Sequence, residues 1–424
     1  MKRIIFPLAL LLLTACHTKQ DQITQQEDYN NYLASNQTKT TSRFFELWNS
    51  KIKPDSLQLL SFGNVASEYN RYFKETGDIT FLKQAEKALT KAVEIANINK
   101  EGYLRALARN YISQHRFKEA LSLAEEALAL KGGKKETHSL LFDVHMELGN
   151  YSKAEAYLDS IRNPSEFGYL IRIAKWNDHI GDLETTIRFM EKAMQKAESS
   201  KNKGLRIWSY SNIADYYGHA GKIKESYENY LKTLRLDPYN AYAKKGIAWI
   251  VFSHEKNPDE ALRILNAVTE KYGAPDYFLL KAEISDFLDD SSGFTQNMDA
   301  FYKKAEDKNY GEMYNSHKVH FYLDHTRDTD RALQLALKEV QNRPTPESYN
   351  LLAATYLKMQ KYKNALTVVE KQIAGKTFEP AILLNAAKVY KANNRLDKVN
   401  EIKPELISAV YELGPSSVAT IAKL

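Results

Sequence analysis

The sequence predicts an all-α chain in which helical hairpins stack side by side into a solenoid. Three observations carry this. Apolar and small residues recur at helical spacing in segments that come in pairs, corresponding positions return about every 34 residues, and 17 Gly and 11 Pro in 424 residues leave little material for long loops. Hydrophobic residues at 43% and charged residues at 26% are globular proportions, which exclude wholesale disorder and a polytopic membrane protein.

The pattern is plainest at Leu104, Leu107, Ala108 and Tyr111, one face of a helix, followed by a short turn and then Ala120, Ala124 and Ala127 on one face of a second. Small residues in the second helix let the two axes approach closely, while larger ones in the first fill the space beside them. Phe62, Val65, Ala66 and Tyr69 pair in the same way with Ala85, Leu89 and Ala92; Tyr210, Ile213, Ala214 and Tyr217 with Gly221 and Tyr230; Tyr349, Leu352, Ala353 and Tyr356 with Ala365 and Val369. The start of each second helix is marked by Ala85, Ala120, Ala154, Thr186, Ser226, Ala261, Ala332 and Ala365.

This register, with a large–small–aromatic first helix and small residues in the second, resembles the tetratricopeptide repeat (TPR) across about residues 57–412. The resemblance implies about ten helix-turn-helix repeats in a right-handed superhelix, with first helices lining a concave face and no single globular core. The solenoid is expected over 43–412, with 413–424 as a C-terminal cap or tail. Irregularities are expected at a polar insertion, Glu198–Gly204; at a long flexible turn, Asp289–Gly293; and at Pro404, which should end the last second helix and start a capping one.

The N-terminus reads as an address. Lys2 and Arg3 precede an apolar run, Ile4 to Leu13, that is too short to span a bilayer, and the run ends in Leu13-Thr14-Ala15-Cys16. This resembles the lipobox of bacterial lipoproteins, which implies a signal peptide over 1–15 and acylation of Cys16, the chain's one cysteine. His17 in place of an aspartate favours the outer membrane, by the same resemblance. Residues 16–42, rich in Gln, Thr, Asn and Lys, are expected to form a flexible lipidated tether with a reach of about 25–30 Å.

Chemistry is scarce. A single cysteine excludes a disulfide framework, and the chain holds no glycine-rich phosphate loop, HExxH or GxSxG. His317, His320 and His325, near Asp324 and Asp328, could offer metal ligands, but His320 should point into the packed hairpin while His317 faces the groove, so no metal or cofactor is expected and no enzymatic activity. The net charge of +6, from 59 basic and 53 acidic residues, is far from a nucleic-acid-binding polycation.

Helical register predicts the groove lining: Arg105, Arg109 and Ser113; Ser139, Asp143 and Glu147; Ile171, Lys175, Asp178 and His179; Ser211, Asp215 and His219; His317, Phe321 and His325; Asn350 and Lys358. Charges of both signs alternate along it, which suits an extended polar peptide or a partner helix. Family members that clamp a peptide's terminal carboxylate use a basic, Asn-rich groove, which Asn350 alone does not recreate. The expected function is therefore a membrane-anchored scaffold or adaptor that binds a protein partner along its groove, facing the periplasm or the cell surface. The alternative is a glycan- or nutrient-capture lipoprotein docked on an outer-membrane transporter, for which Trp48, Trp176 and Trp208 would have to be exposed together.

Overall fold

A computed structural model describes residues 22–34, 41–53, 55 and 57–424. The expected signal peptide, Cys16 and the first part of the expected tether lie outside these residues. Among the described residues the chain is helical, with no strand, and ten antiparallel hairpins follow one another. The first pairs Leu59–Thr76 with Ile79–Ile95, the fifth pairs Lys203–His219 with Ile223–Leu236, and the tenth pairs Pro380–Ala392 with Leu396–Ser408.

Local chemistry accounts for this regularity. Ala85, Ala120, Ala124, Ala154, Ala261, Ala332 and Ala365 are fully buried at the hairpin contacts, and Leu104, Leu141, Phe142 and Ile213 fill the spaces beside them. Each such large side chain contributes about 1.5–3 kcal/mol by leaving water. Every hairpin turn contains one residue in the left-handed region: Gly77, His115, Gly149, Gly181, Gly221, Lys256, Asp289, Arg327, Gln360 and Asn394, with φ between 56° and 83°. That residue reverses the chain just past the first helix, a conformation glycine adopts freely and the other six types at a cost. Asp78, Asp182, Asp290 and Asp328 then cap the second helices through their carboxylates.

Several expectations need correction. Residues Gln26–Ala34, placed in the flexible tether, form a helix docked on the solenoid. Tyr29 is 1% exposed and its Oη donates to Glu260 Oε1 at 2.7 Å, while Glu255 accepts the backbone N–H groups of Ile23 and Thr24. Two apolar side chains and a few directed hydrogen bonds are enough to order a segment whose composition looks like linker. Pro404 does not end a helix: Leu396–Ser408 runs through it, and the chain closes with short helices at Val410–Leu413 and Ser417–Ala422. Asp289–Gly293 is no loop, since Asp290 caps a helix that begins at Ser291. The insertion at Glu198–Gly204 is absorbed by long helices, Leu183–Ser200 and Lys203–His219. His320 is exposed and Phe321 is buried, the reverse of the expected register, because the fully buried Val319 takes the slot at the hairpin contact, against Ala332 and Ala336.

The superhelix is wound tightly enough for its second turn to rest on its first. Gly273 N–H donates to Thr76 O at 2.7 Å, Lys118 Nζ to Gln341 O at 2.9 Å, and Ser253 Oγ to Tyr411 O at 2.6 Å. Ile79 and Leu82 share one apolar cluster with Phe301, Tyr310 and Tyr314. The turns of the early hairpins thus seat on the loops between the late ones.

Candidate functional site

Contact between the two turns divides the concave face into half-open chambers. One, of about 400 Å³, lies between Lys175, Asp178, His179 and His219 of the first turn and Arg343, Glu347, Glu379 and Glu412 of the second. Its cationic side is built on Glu147, whose carboxylate meets Lys175 Nζ at 2.8 Å and Arg343 Nη1 at 3.2 Å. Burial alone would raise the Glu147 carboxyl, but the two cations outweigh it and hold it below the ordinary carboxylate range. Likewise burial would lower the Lys175 ammonium, and Glu147 reverses that.

The rest of the lining carries acidic groups. Burial, with repulsion from Glu412, pushes the Glu379 carboxyl up to about 7, and burial also raises Asp178 and Glu412. His219 Nδ1 lies 3.9 Å from Glu412 Oε2. The His179 ring packs on Tyr151 at 4.0 Å between centroids, and burial keeps its imidazole below its usual range. The chamber therefore offers cationic groups, acidic groups and an aromatic face.

A second chamber, of about 430 Å³, is bordered by His115, Lys245, Trp249, Glu283, Tyr314 and His317. Lys245 pairs with Asp276 at 3.0 Å; burial pushes the His317 imidazole down to about 4 and the Glu283 carboxyl up to about 7. Trp249 is partly exposed here.

Residues 111–165 match the family model of the tetratricopeptide repeat. The fold is an α-solenoid of helical hairpins. No curated protein matches the chain. Among solved structures it is similar to a tetratricopeptide repeat protein from Parabacteroides merdae, at 16% identity over 59% of this chain and 95% of that one, with a TM-score of 0.39. It is also similar to the human IFIT1 dimer with PPP-AAAA, at 13% identity over 85% and 83% with a TM-score of 0.45, and to yeast Tom70, at 12% identity over 91% and 93% with a TM-score of 0.41.

In this solenoid the groove residues expected from register take different places. Glu147, Lys175, Asp178, His179 and His219 meet in the first chamber, and His317 lines the second. Several of the others hold the fold together. Arg105 is 8% exposed and donates to Gly132 O and Thr137 Oγ1, both at 3.0 Å. Asp143 pairs with Arg172, Asp215 accepts from Tyr230 and Tyr242, Asn350 accepts from Asn385 at 2.7 Å, and Lys358 pairs with Asp324 at 2.7 Å. Arg109 reaches solvent, yet the protein around it pushes its guanidinium down.

Arg343, Glu347, Glu379 and Glu412 were missed. They are distant in sequence from the residues they face, and no local pattern marks a chain segment that returns one superhelical turn later. The tryptophans do not assemble a sugar platform: Trp48 packs on Phe44, Trp176 on His179, Trp208 on Phe167 and Trp249 on Phe252. No group of three or more His, Cys, Asp or Glu able to hold a metal ion occurs among the described residues, and none of their helices is long and apolar enough to cross a membrane.

Proposed function

We propose that the chain is an envelope adaptor: a TPR solenoid, tied to a membrane by acyl chains on Cys16, that receives a polar segment of a partner protein in the chamber between its two turns. What supports the reading is a chamber lined by the cations Lys175 and Arg343, which meet at Glu147, and by the carboxyls Glu379 and Glu412. Such a space fits a segment that carries both an acidic and a basic side chain, with the Tyr151–His179 face packing on its stem. The fold is one that serves as a protein-interaction scaffold.

The lipid anchor rests on the Leu13–Cys16 motif, and an outer-membrane location on His17. The docked helix Gln26–Ala34 shortens the linker this reading needs. The arm is held at Ile23 and Thr24, so residues 17–22 alone join it to Cys16 and span at most about 20 Å. The body would then ride close to the headgroups.

A photo-crosslinking residue at His179, in the native host, tests the binding reading. A discrete protein adduct that disappears on Lys175→Glu is expected; adducts that form equally with Lys175→Glu and with a crosslinker on the outer face would refute it. For the anchor, Cys16→Ser should release the protein from the membrane fraction with loss of the acyl mass, and unchanged mass and fractionation would remove it.

A further inference from the structure

The first hairpin is left half covered. Its helices, Leu59–Thr76 and Ile79–Ile95, are about 25–27 Å long, whereas the Arg43–Asn49 helix packed against them is only about 10 Å long. That short helix covers the end near Tyr69, Tyr72 and Phe81 through Phe45 and Trp48. Beyond it an open groove of about 1010 Å³ runs along the rest of the face, with Ile52, Phe62, Val65 and Tyr69 as its floor. In the interior of the stack such a face is covered by the helix of a neighbouring hairpin.

The groove has a charge pattern as well as a shape. Lys83, Lys87 and Lys91, four residues apart, form a stripe along one lip, and Lys53 stands on the other. Lys83 pairs with Glu86 and Lys91 with Glu94, while Lys53 and Lys87 have no ion pair among the described residues. An apolar floor between lips on which lysines outnumber glutamates is complementary to an amphipathic helix that carries leucine-type anchors flanked by carboxylates. We infer that the groove at the N-terminal end of the solenoid is a second docking site, distinct from the chambers, and that its occupant is an acidic amphipathic helix of a partner protein that takes the place of a missing hairpin helix.

The test uses the full chain and two fluorescein-labelled helical peptides of roughly 15 residues with one leucine face, flanked by Glu in one and by Lys in the other. Anisotropy should show saturable binding of the Glu peptide and weak binding of the Lys peptide. Lys87→Glu with Lys91→Glu should weaken the Glu peptide by about tenfold or more and strengthen the Lys peptide, a swap that a folding defect does not produce. The inference is overturned if the Glu peptide does not saturate up to about 1 mM, or if both peptides bind alike. It is also overturned if phosphatidylglycerol-containing vesicles capture the chain through Lys87 and displace the peptide, or if binding appears only once residues 1–21 are removed, because the occupant is then a membrane or the chain's own N-terminus.

Discussion

Arg343 Nη1 lies 3.2 Å from Glu147 Oε2, an ion pair between residues 196 positions apart that joins the second superhelical turn to the first. The same carboxylate holds Lys175, so one side chain fixes the chamber wall and the seam together.

Glu147→Gln should therefore loosen both. It leaves two cations without their counter-charge at a partly buried site, at a cost of about 1 kcal/mol in stability. Thermal unfolding should start earlier, and hydrogen exchange should rise at residues 341–347 as well as at 146–149. Faster exchange at only one of these segments would mean that the pair does not join the turns.

The pH dependence should run in opposite directions at Glu147 and Glu379. The Glu147 carboxyl sits below its unfolded value, so its contribution is present above the ordinary carboxylate range and is lost as pH falls through the lower folded value. The Glu379 carboxyl sits above its unfolded value, at about 7, so the folded chain holds the extra proton and stability declines as pH rises from the ordinary carboxylate range through about 7. Melting temperature should thus peak in mild acid. Glu379→Gln should flatten the alkaline limb, and an unchanged limb would show that Glu379 does not set it.

The seam tolerates little side-chain volume. At Gly77, φ is +68° and a Cβ would lie 2.6 Å from the backbone nitrogen of Ala274; at Gly181, φ is +83° and a Cβ would lie 2.6 Å from the Phe378 ring. Gly77→Val and Gly181→Val together should separate the turns while each hairpin persists. Small-angle scattering should report a larger radius of gyration at unchanged helix content by circular dichroism; an unaltered radius would mean that the seam can absorb the added volume.

The docked arm has one deep anchor. Tyr29→Ala removes a fully buried aromatic and its bond to Glu260, a change worth about 3–5 kcal/mol in cores. Because the arm stands outside the hairpin stack, detachment should be local. Residues 22–34 should become protease-sensitive and exchange rapidly while the midpoint of global unfolding moves little, and a large drop in that midpoint would make the arm part of the cooperative body instead.

Residue patterns within one repeat were enough to place the hairpins. Leu104, Leu107 and Ala108, and Ala120, Ala124 and Ala127, occupy the buried faces that their spacing implies, because helix formation and hairpin packing depend on neighbours within about 35 positions. Phe321 escaped this reading because Val319, not His320, sits at the hairpin contact, which moves the faces by one residue, and the arm escaped it because Tyr29 and Leu33 are ordered by distant partners such as Tyr227 and Glu260.

The repeating unit and its packing faces are legible in residue spacing, as is the Leu13–Cys16 motif. Tertiary structure alone decided how tightly the superhelix winds, and with it that Arg343, Glu379 and Glu412 come to face Lys175, Asp178 and His219. The physical reason is that the winding is the sum of ten small hairpin-to-hairpin rotations, each set by a whole interface, so the residues brought together across one turn share no local pattern.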